Sequence, residues 1–317
     1  MKHKGDRYTA LVAVNHVNYA SSSPDNTTNS ELRLAGDVFY TARARAAWAF
    51  GQVRSTDPRG LNNRPISAEP DRWTANNAEG RFIYGAPEAK GRVEVDLGVT
   101  NKTYDNNRAL TEVSDVNSTR YAARMFYRLG TRSLALGEFR NSRNNYPAAL
   151  SIDTNTERRY YVGLTWDATA ATTGIVKVGR MTKDFDNSIR GNYEGDSWEA
   201  SVRWMPLTYT MVDLQTSRST ADSTGFGDYN LVTATDLVWQ HKWTRSLSSR
   251  LAMGYAKTDF RGTTRSDSTS SYSMSVEYAV MRWLRLGVDW AGTDNSSNDP
   301  AGAYKRNVTM FTVNASL

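Results

Sequence analysis

Residues 91–100 read GRVEVDLGVT. Successive side chains of an extended chain point to opposite faces, so Val93, Val95, Leu97 and Val99 share one side while Arg92, Glu94, Asp96 and Thr100 share the other. One face suits oil and the other suits water. Two architectures accept such a strand: a soluble sandwich or barrel with its apolar faces inward, and a membrane barrel with its apolar faces turned out to lipid.

The chain of 317 residues is long enough for one large or two ordinary soluble domains, or for one medium transmembrane barrel. It has no apolar run of the roughly 18 residues that a membrane helix needs, and its mean hydropathy is that of a soluble chain. Membrane barrels share that property, because every second strand residue is polar. With no cysteine, disulfides, thiolate nucleophiles and Cys-based metal sites are excluded. Aromatic residues make up 11% of the chain, enough for interfacial girdles. The net charge is +6, and arginine supplies most of the 39 basic residues. Residues 1–6 lead straight into a strand at Arg7, as expected of a mature secreted chain whose signal peptide is gone.

Alternation and turn signals predict sixteen strands, near 7–19, 30–40, 43–55, 76–85, 91–104, 118–129, 132–146, 156–167, 174–186, 195–205, 208–220, 229–243, 247–260, 270–281, 284–295 and 305–317. The connections alternate in length. Short turns are expected at 41–42, 86–90, 130–131, 168–173, 206–207, 244–246 and 282–283. Long polar segments are expected at 20–29, 56–75, 105–117, 147–155, 187–194, 221–228, 261–269 and 296–304. That rhythm puts the tight turns at one end and the long loops at the other, as in an up-and-down barrel with periplasmic turns and extracellular loops. Greek-key sandwiches have no reason to keep it. All eight prolines fall in or beside these connections. Trp166, Trp204, Trp243 and Trp283 sit near short turns, where indoles would meet lipid headgroups. The expected fold is one all-β domain over residues 1–317, a transmembrane antiparallel barrel of about sixteen strands in a bacterial outer membrane. Lys177 and Asp213 interrupt the alternation in 174–186 and 208–220, leaving those registers open.

The texture of TERRYYVGLTWDATAATTGIVKVGRMTKDFDN (156–187), GDSWEASVRWMPLTYTMVDLQTSRST (195–220) and YKRNVTMFTVNASL (304–317) resembles the β-barrel porins encoded with exopolysaccharide operons, the EpsL-like proteins. The likeness covers nearly the whole chain. It implies an outer-membrane channel through which a secreted polysaccharide leaves the cell, and it transfers no individual site residue.

A barrel of this size encloses an aqueous channel rather than a filled core. On the expected registers its lumen receives Arg43, Arg45, Arg81, Arg92, Glu94, Asp96, Arg120, Arg124, Arg128, Arg159, Arg203, Arg250 and Arg285. Arginine rings favour anions, and guanidinium groups grip carboxylate, sulfate or phosphate in pairs. The competing reading is neutralisation by neighbouring acids, such as Glu94 and Asp96 beside Arg92. The 120–124–128 series is expected to have too few neighbouring acids to be neutralised locally. Phe39, Phe126, Phe139 and Tyr161 are candidate inward aromatics for sugar faces, or simply packing. The connection STDPRGLNNRPISAEPDRWT (55–74), with Arg59, Arg64 and Arg72, is either a constriction folded into the barrel or a solvated loop.

Catalysis has little to stand on. His16 and His241 lie on separate strands, without triad spacing. Metal sites built on His or Cys are not expected, and DNSSNDP (294–300) would hold Ca²⁺ only loosely. No cofactor is called for. Basic residues are dispersed rather than gathered into a nucleic-acid patch. The expected function is therefore non-enzymatic export of an exopolysaccharide, acidic in kind, with outer-membrane lipid and periplasmic or inner-membrane secretion proteins as partners. A general or anion-preferring uptake porin and a lipid-modifying barrel enzyme are the alternatives.

Overall fold

The computed structural model describes residues 5–59, 67–169, 171–223 and 227–316. Sixteen strands follow one another as β1 (Arg7–Val17), β2 (Thr27–Phe39), β3 (Ala44–Asp57), β4 (Asp71–Tyr84), β5 (Gly91–Tyr104), β6 (Val116–Arg128), β7 (Ser133–Asn145) and β8 (Asn155–Thr169), then β9 (Thr172–Phe185), β10 (Tyr193–Leu207), β11 (Thr210–Asp222), β12 (Tyr229–Lys242), β13 (Leu247–Arg261), β14 (Ser266–Met281), β15 (Leu284–Ser297) and β16 (Tyr304–Ala315). Each pairs antiparallel with its sequence neighbours in a single up-and-down sheet. The short and long connections alternate as expected, with one exception. The polar run expected as a long loop at 261–269 shortens to 262–265, because Ser266–Ser271 continues the β14 ladder against β13 and β15. Serine and threonine read as loop formers, yet they satisfy a ladder that faces water on both sides.

The registers fix two faces. Val93, Val95, Leu97 and Val99 of β5 are exposed and share a side with Met125 and Tyr127 of β6, while Arg92, Glu94 and Asp96 share the other with Arg124. Side chains on the charged face reach across intervening strands. The Tyr104 hydroxyl donates to Asp57 at 2.9 Å, from β5 to β3, and Arg140 donates to Glu199 at 2.6 Å, from β7 to β10. Only the concave side of a curved sheet brings such groups together, so the charged face is the inside. Lys177 and Asp213 do not break the pattern: both fall on this inner face, bonded to Glu138 and Arg203.

The outward face carries the aromatic girdle. Trp204, Trp243 and Trp283 are exposed near the short turns. Trp166 lies over Gly174, its partner on β9, where an added Cβ would come within 2.5 Å of the indole. Toward the long-loop end the outward face turns polar, with Arg180 bonded to Glu194 and Arg158 to Asp184. The apolar band therefore ends near Tyr160 and Trp198, and the strands project beyond it. Among the described residues no ladder joins β1 to β16, the two flanks of the sheet. In lipid their backbone groups can be satisfied only by each other, and an even strand number presents them antiparallel.

Leu97 sits mid-strand in this band and is 62% exposed. Leu97→Arg is expected to cost about 2–4 kcal/mol in bilayers, the depth-dependent penalty of a lipid-facing cation. Denaturant titration of folding into vesicles would measure it. An effect near zero would place that face in water.

Candidate pore lining

The inner face has an open trough along β1–β6, a charge-packed stretch centred on β6–β10, and further cavities along β10–β16. Across β1–β6 the register aligns small residues, with Thr9, Ala35 and Ala49 in one row and Ala47 and Ala122 in the next. Short side chains leave a trough of about 530 Å³ against the wall, with Arg7, Arg33, Arg81 and Arg120 on its sides. Two of these are compensated to different degrees. Arg81 is bonded to Asp96 at 2.5 Å, whereas Arg120 meets Glu79 only at 3.8 Å. Arg7 faces Asp37, but that carboxylate is taken by Arg45 in a two-bond pair. Among the described residues neither Arg7 nor Arg33 has a carboxylate within ion-pair distance.

Across β6–β10 the lumen side carries a dense ionic cluster. Glu138, its side chain fully buried, accepts from Arg140 at 2.5 Å, Arg124 at 2.9 Å and Lys177 at 2.9 Å. Glu199 accepts from Lys177 at 2.5 Å and from Arg140, and Arg159 lies 3.6 Å away. Tyr161 is buried beside Ser197, their hydroxyls 2.6 Å apart. Buried charges of both signs linked this densely hold the wall in one arrangement and carry little net charge.

The sequence-predicted residues distribute unevenly over these stretches. Arg92 pairs with Glu94 on its own strand at 3.1 Å and lies over the Phe126 ring. The expectation that the 120–124–128 series lacks local acids is corrected. Arg124 is bonded to Asp96 at 2.6 Å as well as to Glu138, and Arg128 donates to the carbonyls of Pro87 and Thr131. Arg128 also lies 3.7 Å from Glu88. Asp96 and Glu138 stand on the strands either side of β6, out of sight in a local reading. Arg159 pairs with Glu157, Arg203 with Asp213 at 2.7 Å, and Arg285 lies 3.6 Å from Glu277. Arg250 has no ion-pair partner among the described residues, and it lines a second cavity of about 500 Å³ with Glu277 and Asp289. Arg43 lies in the turn between β2 and β3.

Phe39, Phe126 and Tyr161 take the inner parity, but Phe139 does not. It points outward between Tyr121 and Tyr160, with centroid distances of 6.0 and 5.0 Å. The β7 register is therefore one residue from the expected one, which brings in Glu138 and Arg140, both absent from the predicted set. Leu134 and Leu136 share their face, so hydrophobicity pointed the wrong way there.

The 55–74 connection narrows to 58–70, because β3 and β4 extend into it. Arg59 is tied to Asp25 of the β1–β2 connection at 2.6 Å, and its guanidinium holds that carboxyl below its usual range. Arg72 is on β4, exposed and 3.3 Å from Glu69, and Arg64 lies outside the described residues. His16 faces outward, bonded to Thr28 and Asn18, and His241 faces outward among Tyr209, Trp239 and Trp243. The two histidines are on strands that do not pair.

A girdled sheet of sixteen strands with a charged, partly open concave face defines an outer-membrane channel. The chain belongs to the family described as "Putative beta-barrel porin 2", whose model matches residues 6–317. Among solved structures it is similar to the FrpB iron transporter from Neisseria meningitidis, with TM-score 0.55 and 9% identity, over 88% of this chain and 55% of that one. The copper transporter OprC is similar with TM-score 0.57 and 11% identity, over 98% and 60%. The ferric-catecholate import receptor Fiu from E. coli K12 is similar with TM-score 0.52 and 10% identity, over 93% and 61%. At such identities the likeness is one of fold, and this chain spans about three fifths of each. No curated protein matches it. The protein is located in the outer membrane.

Proposed function

We propose that residues 1–317 act as one barrel through which a secreted polysaccharide bearing acid groups leaves the cell. The observation that carries this reading is the trough of about 530 Å³, in which Arg7 and Arg33 lack carboxylate partners among the described residues beside a floor of alanine. A flat floor lets a sugar ring approach the wall, while guanidinium groups pair with carboxylate, sulfate or phosphate as they pass. Binding at successive weak sites favours entry without trapping the polymer. The short-turn mouth would receive it from periplasmic or inner-membrane secretion proteins.

Single-channel recording in a planar bilayer tests the reading. In a salt gradient the reversal potential is expected to show anion preference, and an acidic oligosaccharide added on the short-turn side should block the current more than a neutral one of equal length. Equal block by both would remove acidic substrate from the proposal. Block only from the long-loop side would favour uptake. Alanine at His16 and His241 is expected to leave the currents unchanged; a phospholipid-hydrolysing activity lost with either substitution would replace transport by lipid modification.

A further inference from the structure

We infer that the long-loop end of the β11–β12 hairpin, residues 219–223 and 227–231, is a hinged constriction that sets the size of what passes. This inference rests on the channel reading above.

The ladder between β10 and β11 stops at Trp198 opposite Arg218. On either side the pairing runs on: β9 and β10 stay joined to Lys183 opposite Tyr193, and β11 and β12 to Asp222 opposite Tyr229, without a register shift. β12 also stays joined to β13, to Tyr229 opposite Arg261, so the wall opens only at the β10–β11 seam, where the apolar band ends, and the ends of β11, β12 and β13 turn inward together. Backbone groups released at that level face water rather than lipid.

Side-chain parity shows where the hairpin goes. Thr220 and Asp222 share a face with Leu214, and Leu231 and Tyr229 share one with Leu237. Lower in the barrel that face is exposed to lipid. Here it is pressed onto inward-facing groups of β8, β9 and β10. Thr220 bonds Glu157 and touches the fully buried Met181, with Oγ1 and Sδ 3.6 Å apart. Lys183, almost wholly buried, reaches Asp222 at 2.5 Å, and Tyr146 donates to the same carboxylate at 2.5 Å. The Tyr229 ring stacks near Phe185 and meets Tyr193 at 5.5 Å. The hairpin end has folded across the lumen.

Side chains latch it there. Lys183 holds Asp222, and Arg190 bridges Asp153 at 2.5 Å, the Gly227 carbonyl and Asp228 at 3.6 Å. The closed arrangement also carries unmet hydrogen-bonding groups: Arg190 Nε, Tyr193 OH, Arg218 Nε and Asn230 Oδ1 are buried without a partner among the described residues. Such groups cost stability, and among the described residues no strand pairs with 193–197 of β10 on the β11 side, leaving an edge to which β11 can return. Two arrangements therefore compete: one held by buried charges, the other by a restored β10–β11 ladder, with the ends of β11, β12 and β13 swinging together because their mutual pairing is unbroken.

The absence of cysteine elsewhere makes the test clean. In a Thr220→Cys, Met181→Cys double variant, oxidation is expected to lock the hairpin across the lumen and abolish oligosaccharide flux, with reduction restoring it. Lys183→Met combined with Arg190→Met is expected to raise conductance several-fold, with folding checked by heat-modifiable gel mobility. Unchanged flux in the disulfide-locked protein, or unchanged conductance in the folded latch variant, would overturn the inference. If no form conducts at all, the channel reading itself fails. Maleimide labelling of the Thr220→Cys single variant then still decides the hinge: faster labelling when Lys183→Met is added supports it, and an equal rate refutes it.

Discussion

Glu138→Gln is expected to destabilise the folded barrel by about 3–5 kcal/mol, the cost of removing one partner from a buried ionic cluster. The carboxylate is fully buried and accepts from Arg140, Arg124 and Lys177, all within 2.9 Å. Glutamine keeps the shape and loses the charge, so among the described residues the three cations are left with Glu199, Glu94 and Asp96 to compensate them. Urea unfolding from lipid vesicles, followed by tryptophan fluorescence, measures the change. Arg180→Ala is the control: that arginine is paired with Glu194, both about two-thirds exposed, and its loss should cost no more than about 1 kcal/mol. Equal small effects would mean that water reaches Glu138 and that the packed stretch of the wall is soft.

The contrast between these two sites shows what local sequence carries. Alternation in GRVEVDLGVT separates lipid from lumen because each residue's face depends only on its parity, a property of the chain itself. The girdle tryptophans are legible for the same reason. Glu138 was not, because Leu134 and Leu136 lie on its face and Phe139 on the opposite one, so the apolar pattern of β7 argues for a register one residue out. Pairing is still less local. Lys177 reads as an interruption until β7 and β10 bring Glu138 and Glu199 to it from 39 and 22 positions away. The infolded hairpin contradicts parity outright: Thr220 and Asp222 stand on the lipid-facing register of β11, and only contacts with β8, β9 and Tyr146 of the β7–β8 connection place them inside. A rule about neighbours in sequence has no means to express a strand that parts from one partner while keeping the other.

Replacing both Arg7 and Arg33 by glutamate should turn the channel from anion- to cation-preferring, moving the permeability ratio by roughly tenfold at 0.1 M salt. Both residues stand on the open trough without a carboxylate partner among the described residues, so each substitution exchanges a full positive field for a full negative one beside the path. Arg159→Glu, half the charge change of the double variant, is the comparison in the packed stretch. That arginine is held by Glu157 and Glu199, and its side chain is largely buried. Its reversal also changes lumen charge, but across a distance that salt screens, the Debye length being about 10 Å at 0.1 M. Raising the salt to about 1 M shortens that length to about 3 Å and should erase most of the effect in the double variant as well. Reversal potentials at the two salt concentrations decide the matter. If Arg159→Glu shifts them by half as much as the double variant or more, ions are travelling past the ionic network, and the trough is not the path.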